Sequence, residues 1–123
     1  MEKLVLYSYS KCSTCRKASK WLDQKGFDYE LIDIVNEPPS KHYLKLALTK
    51  FSSDKKKVFN TRGKSFKLLN VDVTTLTNEE IIQLLLQDGK LVKRPFLAYE
   101  GKVVLLGFNE DEYRNHFLSD LKN

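Results

Sequence analysis

Cysteine and histidine occur only twice each in this chain of 123 residues. A zinc centre needs about four ligands. His42 and His116 have no partner spacing, so no metal site is expected. Glycine and proline are also scarce, at five and three, which excludes a collagen-like or linker-rich chain. No apolar run approaches the roughly 18 residues of a membrane helix. The run Leu4 to Tyr7 is too short for the apolar region of a secretory leader, so a cytoplasmic protein is expected. There is no internal repeat and no low-complexity tract. Charge of one sign is not in large excess either: 21 Lys and Arg against 16 Asp and Glu give +5. That surplus favours anionic ligands but does not nominate nucleic acid. Trp21 and the other aromatics are scattered over several elements, so they read as core and not as a base-stacking platform. Direct DNA binding is not expected.

The composition that remains is 41% hydrophobic and 30% charged, an ordinary globular balance. We expect one domain over 1–123. A chain of this length buries about two-thirds of its unfolded surface and needs no staple.

The pattern of elements is legible along most of the chain. Lys3 to Ser8 reads as a buried strand. Ser13 to Lys25 reads as a helix with Cys15, Ala18 and Leu22 on one face and Gly26 beyond its end. Phe27 to Ile34 reads as a second strand, giving a βαβ unit with parallel strands. Pro38-Pro39-Ser40 breaks the chain, and Ser40 caps a helix carrying Leu44, Ala47, Leu48 and Phe51. Residues 52–75 give no clear period, and Lys55-Lys56-Lys57 reads as a solvated run. Thr77 to Glu80 is a capping box opening a helix to Gly89. Phe96–Tyr99 and Val103–Leu106 flank Glu100-Gly101 as a hairpin. Asn109 caps a last helix with Tyr113, Phe117 and Leu121 on its buried stripe. The expected fold is therefore α/β: β-α-β, a helical insertion over about 38–90, then β-β-α, with a four-stranded mixed sheet.

The two cysteines, Cys12 and Cys15, form Cys-x-x-Cys where the first strand feeds its helix. Only a thiolate attacks, and a free thiol ionises near pH 8.5. At a helix N-terminus, unpaired amides and the dipole lower that to roughly 3.5–7.5. Cys12 occupies the N-cap position, so the amides of Thr14 and Cys15 are expected at its sulfur, with Lys11 and Arg16 nearby. Cys15, one turn in and on the core face, is expected to be shielded. The roles separate: Cys12 is the nucleophile and Cys15 the resolving thiol, closing a Cys12–Cys15 disulfide. A purely structural disulfide is the weaker alternative, because so small a loop constrains little chain.

Tyr9-Ser-Lys-Cys-Ser-Thr-Cys-Arg-Lys-Ala18, then Arg62, Lys93-Arg-Pro-Phe96 and Gly107-Phe-Asn-Glu-Asp-Glu112, resemble the arsenate reductase (ArsC)/Spx family over essentially the whole chain. The resemblance implies a thioredoxin-like fold. It implies that Arg94, and Arg62 as a second arginine of the same kind, bind an oxyanion beside the nucleophile. It also implies that Pro95 is a cis proline opposite the cysteines. No bound cofactor is implied, since glutathione, glutaredoxin or thioredoxin would supply reducing equivalents to a monomer. Two positions depart from the arsenate reductases. The place of a third oxyanion-binding arginine reads Gly107-Phe108-Asn109, with Arg114 farther along, and Cys15 is a cysteine those enzymes typically lack. Both point away from arsenate as substrate. The expected function is a thiol–disulfide oxidoreductase. The alternative is an Spx-like redox-sensing regulator that engages RNA polymerase.

Overall fold

A computed structural model of the chain describes residues 3–117. Four strands, β1 (Leu4–Ser8), β2 (Glu30–Asp33), β3 (Phe96–Tyr99) and β4 (Val103–Leu106), form one sheet in the order β2-β1-β3-β4. β1 runs parallel to β2 and antiparallel to β3, and β3 is antiparallel to β4. The mixed sheet and the position of the hairpin agree with the sequence reading. Within the hairpin, Glu100 and Gly101 take φ of 57° and 70°, and the Lys102 amide donates to the Tyr99 carbonyl at 3.0 Å. Tyr99 pairs with Val103, so residues 100–102 join the strands, and positive φ at Glu100 and Gly101 supplies the tight reversal.

Alternation of side chains along the strands divides the interior into two cores. Val5, Tyr7, Phe96, Ala98 and Val104 face α2 (Lys41–Lys50) and α4 (Asn78–Gln87), which contribute Leu44, Leu48, Ile81 and Leu85. Leu4, Leu6, Leu97 and Leu105 face the opposite way. They meet α1 (Ser13–Gln24) through Ala18, Trp21 and Leu22, and α5 (Glu110–Phe117) through Tyr113 and Phe117. Leu121, expected to extend that stripe, lies outside the described residues.

Two elements differ from the sequence reading. β2 is four residues long and not eight. Phe27 and Tyr29 are drawn off the strand path by α1: the Phe27 ring stacks on Trp21 at 6.0 Å, and the Tyr29 hydroxyl donates to Asp23 at 2.8 Å. Side-chain packing therefore outweighs the alternation that suggested a longer strand. The helix from Thr77 ends at Gln87, two residues early, because the Asp88 side chain accepts from the Lys90 amide and starts a 3-10 turn over Gly89–Leu91. The unreadable stretch, 52–75, resolves into two 3-10 turns around a short helix, α3 (Lys64–Leu69). None of these repeats often enough to show a period.

Helix caps follow the sequence closely. Ser40 accepts from the Tyr43 amide, and Asn109 from the Glu112 amide. At Thr77 both halves of the capping box are present. Replacing Thr77 by Ala leaves an orphaned amide at the start of α4 and should cost about 1 kcal/mol. A urea titration in which T77A unfolds at the wild-type midpoint would contradict this.

Candidate active site

The site begins where β1 ends. Ser8 leads into a turn closed by the Cys12 amide donating to the Tyr9 carbonyl at 3.0 Å. Cys12 then takes extended backbone angles, φ −98° and ψ 114°, as the N-cap of α1. Its carbonyl accepts the first helical bond, from the Arg16 amide, at 3.2 Å. Of the two amides expected at the sulfur, that of Cys15 makes the hydrogen bond, at 3.2 Å. The Arg16 guanidinium folds back over the same loop and donates to the Ser10 carbonyl at 2.8 Å.

The two thiols are unlike. Both are free, Cys12 half-buried and Cys15 fully enclosed. Burial, reinforced by the hydrogen bond with Cys12, pushes the Cys15 thiol up to about 11, and the Tyr9 backbone and Ser8 offset only part of this. A desolvated thiol favours its neutral form. At neutral pH, Cys15 is therefore a protonated reserve directly behind Cys12.

Pro95 lies buried at the start of β3, and the Arg94–Pro95 peptide is cis. The Pro95 carbonyl accepts from the Gly107 amide at 2.8 Å, which ties this corner to the end of β4. Arg94 leans over the Tyr9 ring, with its guanidinium carbon 4.7 Å from the ring centroid. Cation–π contacts form at such distances, and this one holds the arginine beside the cysteine loop. The structure thus brings together Cys12, Cys15 and, through Tyr9, Arg94.

Arg62 is placed differently. It is exposed in the turn between Asn60 and Gly63, residues that line a cavity next to Arg94, but its own side chain does not line that cavity. Arg114 is engaged elsewhere, paired with Glu110 and Asp111 on its own helix. His42 bonds the Gly101 carbonyl at 2.6 Å, and His116 packs on Tyr99 and Phe117. Among the described residues no cluster of His, Cys, Asp and Glu could hold a metal ion, and no helix is long and apolar enough to cross a membrane.

The cavity next to Arg94 has a volume of about 370 Å³, and its walls include Tyr9, Asn60, Lys64, Leu68 and Lys90. Sequence reading did not single out these five as site residues. Tyr9 was visible as an aromatic three positions before Cys12. The other four lie 48 to 78 positions beyond Cys12, in the insertion, and no local pattern marks them. A larger hollow of about 650 Å³ sits over the insertion against Phe51, Phe59 and Phe66 and takes in no residue of the cysteine loop.

Comparison with known proteins gives consistent results. The model of the ArsC family matches residues 7–116. The Bacillus subtilis protein YusI is 41% identical over 93% of this chain and 98% of its own length. The global transcriptional regulator Spx of Lactiplantibacillus plantarum is 34% identical over 90% of this chain and 83% of its own. Among solved structures, a possible arsenate reductase from Streptococcus mutans superposes with a TM-score of 0.85 at 38% identity, covering 95% of this chain and 100% of that one. The thioredoxin-like architecture expected from the motifs is the architecture of these neighbours.

Proposed function

The chain belongs to the ArsC family, and on that premise we propose that it is a thiol–disulfide oxidoreductase working through Cys12 and Cys15. The observation that carries this reading is the division of labour at the start of α1: a half-exposed sulfur at the N-cap and a buried thiol one turn behind it. The Cys12 thiolate attacks one sulfur of a substrate disulfide. A Cys12–substrate disulfide forms, the substrate S–S bond breaks, and the second substrate sulfur leaves as a thiolate and takes up a proton. Cys15 then loses its proton and attacks the Cys12 sulfur. The remaining substrate thiolate is expelled, and a Cys12–Cys15 disulfide is left. Two electrons have passed to the substrate. An external thiol reductant, glutathione, glutaredoxin or thioredoxin, returns the pair to the dithiol by the reverse exchange. Exchange in this sense suits a cytoplasmic setting, where such reductants are kept poised.

Arg94, held over Tyr9 beside the cysteine loop, has the role of an anion-binding cation. A guanidinium offers a planar fork of donors to an oxyanion or carboxylate. Arg62 is a second, more distant cation of the same kind. Arsenate is not the substrate we favour, because the position after β4 holds Gly107-Phe108-Asn109 where those enzymes have an arginine.

The test is turnover. Reduced protein at catalytic concentration should complete many cycles on a mixed-disulfide substrate with glutaredoxin or thioredoxin recycling. A Cys15→Ser variant should accumulate a substrate adduct on Cys12, visible in the intact mass and located by digestion. An adduct mapped to another site would overturn the assignment of roles.

The relatives named Spx favour a second reading, in which oxidation of the same pair changes a surface recognised by RNA polymerase. Absence of turnover, together with polymerase capture that depends on the redox state, would decide for the regulator.

A further inference from the structure

The cavity beside the cysteine loop carries one sign of charge. Arg94, Lys64 and Lys90 line it with Asn60, Tyr9 and Leu68, and no carboxylate among the described residues does. The larger hollow instead sets Lys56, Lys57 and Lys93 against Asp54 and Glu112, so its charges offset one another. Among the described residues, none of the three cations of the smaller cavity makes an ion pair. Low-dielectric walls around like charges focus the field on whatever enters. One wall comes from α3, which half-buries Phe66 and Leu69 against the core and leaves Lys64, Lys67 and Leu68 exposed. Lys64 and Leu68 stand four residues apart on it and so share a face. Leu68 is 73% exposed. The helix therefore offers this cavity a cation and an aliphatic side chain that its own packing does not use.

The distance to the nucleophile is short. Tyr9 and Cys12 are the ends of a hydrogen-bonded four-residue turn, which holds their Cα atoms within about 7 Å. Extended chain advances about 3.3–3.6 Å per residue. Cys12 does not itself line the cavity, but one or two extended residues from a sulfur seated there span the separation from Cys12 to Tyr9, which does.

We infer that Cys12 selects disulfides bearing a carboxylate within one or two residues of the sulfur, and that Lys64 and Lys90 are the residues that select them. This rests on the disulfide-exchange reading above and names its substrate class. The carboxylate can be a side chain of an acidic peptide or part of a small acidic thiol. Lys64 and Lys90 bind and orient. They take no part in the exchange of sulfurs.

A single-turnover assay needs no added reductant. Reduced full-length protein is mixed with a disulfide, quenched in acid and alkylated, and formation of the Cys12–Cys15 disulfide is followed. The probes are three six-residue peptides, each with one cysteine in mixed disulfide with 2-mercaptoethanol and flanked by Glu, Gln or Lys. A further pair of small probes is the disulfides of 3-mercaptopropionate and of its amide. The Glu-flanked peptide should react about tenfold faster than the Gln-flanked one at low salt, and the Lys-flanked one more slowly still. That ratio should fall towards one in the Lys64→Gln/Lys90→Gln variant and at high ionic strength, and persist in Lys25→Gln, which lies beyond the far end of α1. A carboxylate preference confined to the peptides would assign the source to protein segments, and one confined to the small pair would assign it to small thiols. Equal rates for acidic and neutral probes would overturn the inference while leaving the thiol chemistry standing. Failure of every probe to oxidise the pair would remove the exchange reading itself, and this inference with it.

Discussion

Cys12→Ser should fold like the wild type and lose disulfide turnover by at least about a thousandfold, the scale of loss seen when an enzyme's nucleophile is removed. Both halves of this expectation come from the same position. Serine is among the preferred N-cap residues, so its hydroxyl can take over the hydrogen bond that the Cys15 amide now makes to the Cys12 sulfur at 3.2 Å. Stability should move by no more than about 0.5 kcal/mol, the order of difference among good caps. The chemistry has no such substitute. An alcohol is not ionised at neutral pH, and Cys15 is fully enclosed, with its thiol pushed up to about 11. It cannot replace Cys12 in the first attack. The measurements are turnover with a recycling system and a urea midpoint on the same preparation. Residual turnover above a few per cent in C12S would mean that another group attacks first, and the proposed mechanism would fail.

Gly89→Ala should be the most damaging single-methyl change in the insertion. Gly89 is buried in the 3-10 turn after α4. A Cβ there would overlap the Ile34 carbonyl oxygen and stand 2.9 Å from the Ile34 carbonyl carbon and 3.0 Å from the Val35 Cα. All three are backbone atoms, so no side chain can swing aside. Ile34 is itself held, because its amide donates to the Ser8 carbonyl at 2.9 Å. Relief must therefore come from moving the end of β2 or the whole turn. Overpacking of this kind costs roughly 3 kcal/mol, a large share of a small domain's stability. The same displacement would press on Ser8, which leads into the Cys12 turn, so activity should fall along with stability. A G89A protein with a wild-type denaturation midpoint would show that the turn yields freely and that the close approach has no structural weight.

These expectations differ in how far the sequence alone reaches. Cys12 was identifiable as an N-cap because a cap is a local event, decided by a few residues and their hydrogen bonds. The same holds for Thr77 and Asn109, and for the Glu100-Gly101 turn. β1, β3 and β4 were legible because each is a short apolar run bounded by turn residues. Gly89, by contrast, read as the end of a helix. Its need to be glycine arises from Ile34, 55 positions earlier, and no local pattern records that approach. β2 was overread for a related reason: Phe27 and Tyr29 alternate like strand residues, but the faces they bury are chosen by Trp21 and Asp23 on α1.

The sequence by itself determined which sulfur stands at the head of a helix and which stands behind it, and the order of the four strands and of every helix except α3. Chain neighbours and hydrophobic period suffice for that, since both act over one or two turns. Only the tertiary structure decided what faces the sulfur. Arg94 is carried to Tyr9 by the pairing of β3 with β1. Lys64 and Lys90 reach the same cavity from two separate parts of the insertion. Arg62 stays outside it. Such placements depend on the packing of distant segments, where energies of a few side-chain contacts choose between arrangements that the local code allows equally.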